Sequence, residues 1–191
     1  TLHAIVAHAH ARAVTVAGHT QGLGHNERAT MVGIDRLAHA PWSEPLAEEL
    51  LTAMARRQSW VSTLDVHGWG DYGPEFEVAQ DNIRRFAALG GRVVYGTDLG
   101  NGPLPLGINP RELRALTDAG LGPDALVAAI AGTDSAGDGA VVNGAVANDG
   151  VADHGLGSRV SYIARDRTAD TAGWLASASV ITVDQLEGLF S

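Results

Sequence analysis

Apolar residues along the first two thirds of the chain follow two alternating patterns. Short β-branched stretches end in glycine or a polar residue, and longer segments with helical spacing of apolar positions follow them. The predicted strands are "VTVAGH", "IDRLAH", "WVSTLDV" and "RVVYGT", at residues 14–19, 34–39, 60–66 and 92–97. Strands that alternate with helices at this spacing predict an α/β fold with a parallel sheet or a β/α barrel.

The predicted helices surround these strands. One segment, residues 43–58, has Ser43 in the position of a cap, Pro45 in the first turn, early acidic residues and late arginines, all of which favour a helix. The other segments with helical spacing are residues 4–13, 24–33, 75–91, 109–120 and 122–132. Four of them end on glycine, which is common after the last turn of a helix.

The sequence changes character after about residue 133. Glycine, aspartate and asparagine dominate the next segment, and "RVSYIA" and "SVITVDQL" then have the pattern of short strands. We therefore predict two parts, the α/β unit at residues 1–133 and a small β appendage at residues 134–191. A calcium loop is the less favoured interpretation of this segment, because the regular acidic spacing and the closing glutamate of an EF-hand are absent.

Composition excludes several classes of function. The formal net charge of −9 argues against a nucleic-acid partner, which would require a basic surface. The chain has no cysteine. It also has no lysine, so all 13 basic residues are arginine. Disulfides, thiolate metal sites and lysine Schiff bases are therefore excluded. Without a basic leader, a cleavage site or a long apolar stretch, the expected location is cytoplasmic and no membrane contact is expected.

Three polar residues lie where predicted strands end. His19 closes the first strand, His39 closes the second, and Asp98 follows the fourth. In a β/α barrel the carboxyl ends of the strands form the active face, where residues from several strands converge. Imidazole and carboxylate groups suit zinc or a similar divalent ion, although any one of these histidines taken alone is more simply explained as a hydrogen-bonded histidine. Their coincidence at three strand ends favours a metal site.

Several blocks of the sequence resemble a known family. "VAGHTQG", "GIDRLAHAP", "NIRRFAALGGRVVYGTDLG" and "RELRALTDAGLGPDALVAAIAGT" are similar to consecutive blocks of the amidohydrolase superfamily, in particular its imidazolonepropionase-like and prolidase-like members. The resemblance implies a metal-dependent hydrolase built on a β/α barrel. It covers residues 1–133, and it implies that residues 134–191 belong to a composite β-sandwich.

The resemblance assigns roles to the strand-end residues. It implies that His19 and His39 are metal ligands on the fifth and sixth barrel strands, and that Asp98 is the eighth-strand aspartate, touching the metal and shuttling a proton as general base and general acid. Zinc is the expected metal, as one or two ions. The implied reaction is hydrolysis of a C–N bond in an amide or cyclic amide, or of a dipeptide. Deamination or isomerisation on the same barrel is a weaker alternative.

The sequence also departs from the family pattern. The first-strand His-x-His pair and the fourth-strand ligand are not found, and the "HAH" of His8 and His10 lies too close to His19 to replace that pair. Four β/α units make half of an eight-stranded barrel, whose open edges need covering. The missing half is expected on the same chain or on another chain. A homo-oligomer and a non-catalytic scaffolding or binding subunit remain as alternatives.

Residues beyond the strand ends carry weaker expectations. His67 and Trp69 follow the third predicted strand and are candidates for contact with a small-molecule substrate, although a loop histidine and a packing aromatic are equally ordinary. Arg111 and Glu112 fall in the first turn of a predicted helix, where a glutamate favours the helix dipole. No further role is predicted for that pair.

Overall fold

The first four strands form one parallel sheet whose order follows the chain. A computed structural model describes residues 1–104, 107–132, 141–142, 145–146, 159–162 and 168–182. Its first sheet has the order β1-β2-β3-β4, and every neighbouring pair is parallel. The strands are Ala17–Gly18, Arg36–Leu37, Ser59–Val61 and Arg92–Val94. Sequential parallel neighbours joined by helices confirm the predicted α/β class and are consistent with part of a barrel.

Seven helices accompany the strands in the described part of the chain. They are α1 Leu2–His10, α2 His25–Val32, α3 Glu48–Ala55, α4 Pro74–Ala88, α5 Pro110–Asp118, α6 Pro123–Ala131 and α7 Thr171–Leu175. Three of these helices, α4, α5 and α6, begin on proline, whose fixed φ suits the first helical position. The two glycines after α2 and α6 adopt the left-handed conformation that ends a helix.

Several predicted boundaries differ from the observed ones, and two of the differences have a clear structural cause. Helix α3 begins at Glu48 with Ala47 as its cap residue, so Ser43 is not a cap and Pro45 lies outside the helix. Strand β3 ends at Val61, and the residues that follow it bend into a loop instead of extending the strand to residue 66. In both places buried side chains outside the element hold the backbone, as described below for Asn82 and Glu112, and such tertiary contacts override local propensity.

The core lies between the sheet and its helices. Trp60 of β3 stacks on Phe86 of α4 with ring centroids 3.7 Å apart, and both side chains are fully buried. Such a pair combines a large buried apolar area with favourable ring geometry. Other fully buried apolar side chains are Leu37, Leu51, Met54, Leu64, Ile83, Leu113 and Leu116. This core fixes the ends of the strands on which the candidate site depends.

Asn82 organises the irregular segment before α3. Its side-chain oxygen accepts a hydrogen bond from the backbone N–H of Leu46, and its amide nitrogen donates to the carbonyls of Pro41 and Glu44. Asn82 is fully buried in α4. Because one side chain satisfies three backbone groups of residues 41–46, that segment needs no helix of its own.

A second sheet follows the α/β unit. Its order is β5-β6-β7-β8 and its pairs are antiparallel, with strands Val141–Val142, Ala145–Val146, Arg159–Tyr162 and Ser179–Thr182. The last two strands coincide with the predicted ones. Helix α7 packs against α5 and buries Trp174 and Leu175 in the same core cluster. The predicted boundary at residue 133 lies outside the described residues, as does most of the segment for which a calcium loop is the less favoured interpretation; the structure describes only β5 and β6 within it.

Within the described ranges, no helix combines the length and the apolar character that a membrane span requires.

Candidate functional site

His19 and His39 meet at the carboxyl ends of adjacent parallel strands. His19 follows β1 directly and His39 lies two residues after β2. The backbone N–H of Ala38 donates to the carbonyl of Gly18, so the two strand ends stay in register. Nε2 of His39 lies 3.0 Å from Nδ1 of His19, and the ring centroids are 4.8 Å apart. The two histidines are therefore brought together as the sequence predicts.

The second ring nitrogen of His39 contacts a residue at the end of a third strand, β3. Nδ1 of His39 lies 2.9 Å from the hydroxyl of Thr63, which is buried just after β3. His39 is itself buried, whereas His19 is exposed on the edge strand. Burial lowers the pKa of His39, and the positive form of His19 would lower it further, while the Asp98 carboxylate acts in the opposite direction. The neutral imidazole, the form that can bind a metal, is thus favoured.

The histidine pair fits two ligands of a zinc ion. Two nitrogens at N–Zn distances of about 2.0–2.1 Å in a tetrahedral site lie roughly 3.3 Å apart, close to the observed separation of the facing nitrogens. Among the residues that the structure describes, no group of three or more histidine, aspartate or glutamate side chains could hold a metal. Asp98 does not complete the set here, so a metal would need further ligands from elsewhere.

Asp98 lies in the loop after β4 in an unusual backbone conformation. Its φ is 52°, in the left-handed region, and Oδ2 accepts a hydrogen bond of 3.0 Å from Nδ2 of Asn101. Its carboxylate is close enough to His39 to raise the pKa of that imidazole. Aspartate is among the non-glycine residues that tolerate this conformation, so the chain can turn at Asp98.

Gly96 allows this loop to approach β3. A Cβ at Gly96 would collide with the side chain of Val61, and the carbonyl of Gly96 accepts a hydrogen bond of 3.0 Å from the backbone N–H of Thr63. The Ser62 hydroxyl also lies 3.3 Å from the backbone of Gly96. The glycine therefore lets the ends of β3 and β4 pack against each other directly below Asp98.

The predicted substrate residues flank the site. His67 packs against Trp42 with ring centroids 5.3 Å apart, and Nε2 of His67 is buried without a hydrogen-bond partner in the structure. Burial lowers the pKa of His67, and the charge of His39 lowers it further although Glu75 opposes both. Trp69 contacts the loop after Asp98, because a Cβ on Gly102 would overlap its indole ring. The structure places both residues beside the predicted site without assigning them a ligand.

Sequence reasoning missed an ion pair between the loop after β3 and helix α5. Asp65 is completely buried and accepts a bidentate pair from Arg111, with Nε and a terminal nitrogen at 2.8 Å. The Tyr72 hydroxyl and the Asn109 side-chain amide donate to the same carboxylate. Burial acts to raise the pKa of Asp65, but these hydrogen bonds together outweigh it and lower the pKa. An arginine in the first turn of α5 opposes the helix dipole, and that mismatch was the available signal.

Glu112 is the second residue that sequence reasoning missed. Its side chain is fully buried, and its two oxygens accept hydrogen bonds from the backbone N–H groups of Leu64, at 3.0 Å, and Asp65, at 2.7 Å. Burial raises its pKa to about 7, although the hydrogen bonds from Ser62, Asp65 and Leu64 act in the opposite direction. The expectation that Glu112 merely favours the helix dipole is therefore wrong.

The segment that Glu112 holds is strained. Thr63 has φ of 43°, which is an outlier for a β-branched residue. Such conformations cost on the order of 1–3 kcal/mol and persist only where surrounding contacts enforce them. Glu112 supplies those contacts on the two residues that follow Thr63.

Two cavities adjoin the first sheet. One of about 430 Å³ opens beside His19 and is lined mainly by apolar residues, among them Leu2, Ile5 and Val16. The larger one, about 620 Å³, lies at the amino ends of the strands between Arg36, Arg57 and Arg92. Ligands of parallel α/β sheets bind at the carboxyl ends of the strands. The smaller cavity runs along the edge strand β1 instead, and it is lined by His19 but not by His39.

Comparisons with known proteins identify the fold. No protein-family model matches the chain, and no curated protein sequence matches it. Among solved structures, a Xaa-Pro dipeptidase with methionine bound in its active site matches 95% of this chain and 46% of its own, with TM-score 0.64 and 19% identity. An uncharacterised protein matches 95% and 47% at TM-score 0.62 and 19% identity. The A. niger ochratoxinase matches 93% and 42% at TM-score 0.61 and 16% identity.

These likenesses concern the fold alone, since the identities are low. The chain spans about half the length of each matched structure. The dipeptidase and the ochratoxinase are hydrolases of the amidohydrolase fold. The parallel arc of four strands is matched over about half the length of these proteins, which is consistent with a partial barrel.

Proposed function

We propose that this chain carries part of the active site of a metal-dependent hydrolase that cleaves a C–N bond in an amide, a cyclic amide or a dipeptide. The observation that carries the proposal is the pair of facing nitrogens of His19 and His39, 3.0 Å apart at neighbouring strand ends, with the other nitrogen of His39 occupied by Thr63. A histidine metal ligand commonly uses its second nitrogen in this way.

The residues of this chain divide the chemistry between them. His19 and His39 would hold a divalent ion, with zinc the favoured metal. When bound, such an ion lowers the pKa of water to about 7 and polarises the scissile carbonyl. The Asp98 carboxylate accepts a proton from the attacking water and returns it to the leaving nitrogen as the C–N bond breaks. His67 and Trp69 would contact the substrate, since both lie beside this end of the sheet.

The remaining ligands would come from a second barrel half, on the same chain or on another one. Two observations support this part of the proposal. The described residues bring together only two possible metal ligands, His19 and His39, and the matched hydrolases are about twice as long as this chain. The same two observations favour the alternative function, a non-catalytic half barrel that binds or scaffolds a partner. Cytoplasmic location is part of the proposal.

The test combines zinc binding with hydrolysis of a panel of N-acyl amino acids, Xaa-Pro dipeptides and cyclic amides, in the protein that carries both barrel halves. We expect His19→Ala with His39→Ala to abolish zinc binding, and Asp98→Asn to retain zinc while turnover falls at least about 100-fold, the lower range for loss of a general acid–base.

The control for Asp98→Asn is Asp118→Asn, an exposed aspartate on α5, which we expect to leave both measurements unchanged. Full turnover by the Asp98→Asn variant would contradict the assigned proton shuttle. Partner binding without zinc uptake, unaffected by the double histidine substitution, would instead establish the scaffolding alternative.

A further inference from the structure

Glu112 and His39 lie on different elements but are connected by an unbroken series of contacts. The carboxylate of Glu112, on α5, binds the backbone N–H groups of Leu64 and Asp65. These residues follow Thr63, whose hydroxyl lies 2.9 Å from Nδ1 of His39. Nε2 of the same ring faces Nδ1 of His19. The Glu112 carboxylate therefore binds the two residues that follow Thr63, and Thr63 makes the only described hydrogen bond to Nδ1 of His39.

The conformation of Thr63 makes this connection specific. Its backbone N–H is fixed by the carbonyl of Gly96, and its φ of 43° directs the chain away from the strand. A threonine adopts this conformation only under constraint. The two residues that follow Thr63 donate their backbone N–H groups to Glu112. Without these hydrogen bonds the chain would relax toward an extended conformation, and the Thr63 hydroxyl would move away from His39.

We infer that Glu112 is a positioning residue, which locks Thr63 so that its hydroxyl accepts a hydrogen bond from Nδ1–H of His39 and leaves the Nε2 lone pair facing His19. The inference rests on the proposed function in that His39 is taken as a metal ligand. A ligand whose tautomer is preset needs no proton rearrangement before it binds a metal.

The first experiment measures the tautomer of His39 in the full chain without metal. Imidazole ¹⁵N chemical shifts are recorded at about pH 8, above the ordinary histidine pKa, and the His39 signals are assigned from their loss in His39→Gln. We expect a single tautomer protonated at Nδ1. Thr63→Val, which removes the hydroxyl but keeps the shape, should give a mixture of tautomers, and Thr63→Ser should restore the single form.

Glu112→Gln is the central variant. A glutamine cannot accept from both backbone N–H groups, so we expect the same tautomer mixture as in Thr63→Val, and no further change when the two substitutions are combined. Zinc affinity, measured by competition with a chromophoric chelator, should fall about 10- to 100-fold in each single variant. Glu77→Gln, an exposed position on α4, is the matched control and should change neither.

The outcomes separate this inference from the proposed function. A wild-type tautomer in a folded Glu112→Gln variant, judged by near-ultraviolet circular dichroism, would overturn the inference even if zinc binds. If Glu112→Gln does not fold, the Thr63→Val result decides: an unchanged tautomer in that variant overturns the link. A preset tautomer that responds to Glu112, in a chain that takes up no zinc, would leave the positioning role in place and remove the hydrolase proposal.

Discussion

Gly96 illustrates how one residue sets the distance between two strand ends. A Cβ on Gly96 would overlap a methyl carbon of Val61, and the Gly96 backbone also contacts Ser62 and Thr63. The glycine in "YGTD" is therefore required for packing, and its effect reaches the loop that carries Asp98.

We predict that Gly96→Ala destabilises the protein by about 1–3 kcal/mol, the usual cost of forcing a methyl group into a packed site. Because the clash is with Val61, adding Val61→Ala should recover part of that loss. Urea unfolding of the two single variants and the double variant measures the coupling between the sites. Strict additivity of the two changes would show that Val61 is not the obstacle.

The raised pKa of Glu112 gives the protein a defined pH dependence. The folded pKa of about 7 exceeds the ordinary value of 4.5, so the folded state binds this proton more tightly than the unfolded chain does. Its contribution to stability is complete below pH 4.5 and is lost as the pH rises through 7. The total is on the order of 3 kcal/mol.

In Glu112→Gln this part of the pH dependence should disappear, since the glutamine does not titrate. The measurement is the free energy of urea unfolding at intervals between pH 4 and 8, in the wild type and in the variant. Parallel curves for the two proteins would contradict the assignment of the proton to Glu112. Asp65 contributes in the opposite direction at lower pH, because its lowered pKa gives stability that is lost as the pH falls through the folded value.

The residues of the candidate site differ in how far the sequence predicts them. His19, His39 and Asp98 follow apolar strands, and a local pattern is enough to place them at one end of a sheet. Glu112 and Asp65 lie 47 residues apart in the chain, and Asp65 and Arg111 lie 46 apart. No local period connects such partners, so their burial and pairing emerge only from the packed structure. The metal and catalytic roles of the strand-end residues stay predictions.

At the scale of elements, Asn82 shows why one helix begins later than its sequence indicates. Residues 43–47 have favourable helix signals, yet three of the backbone groups at residues 41–46 are bound by this one side chain. A helix start at Ser43 would remove these contacts. The predicted type of every element in the α/β unit is confirmed, whereas the starts and ends that depend on distant side chains are wrong.

We predict that Asn82→Ala costs about 2–4 kcal/mol, because buried backbone groups lose their partners. Asn82→Asp retains an acceptor for Leu46 but places a carboxylate against the carbonyls of Pro41 and Glu44, so it should be at least as destabilising as alanine. Thermal unfolding of both variants tests this order. Gln80→Ala on the same helix, which loses a single hydrogen bond to Ala115, is the control and should cost less. An aspartate variant as stable as the wild type would show that the two carbonyl contacts contribute little.

At the scale of the whole molecule, the first sheet is an open arc. Helix α6 lies beside β4, with the carbonyl of Ala129 accepting from the N–H of Tyr95, whereas β1 has β2 as its only neighbour among the described strands. The order of the strands follows from the alternating sequence pattern. The alternating pattern does not show how the sheet is completed, because it carries no information about strands outside this chain.

This arrangement predicts an asymmetric response to metal. Adding zinc should slow backbone amide exchange around Ala17, Gly18 and His19 more than around His39, which is already buried. Hydrogen exchange with mass spectrometry on the wild type measures the difference, and His19→Ala should abolish it. Equal slowing at both histidines, or slowing confined to His39, would contradict the prediction.

The edge position of His19 also bears on the kinetics of metal exchange. In the inferred arrangement the orientation of His39 is set before an ion arrives, while His19 directly follows β1, a strand of two residues with a single neighbour among the described strands. Local opening of such an edge is far more frequent than global unfolding. The lifetime of a bound ion would then depend on how often β1 opens. A partner strand paired with β1 would slow this opening and so prolong metal binding, even if it contributed no ligand.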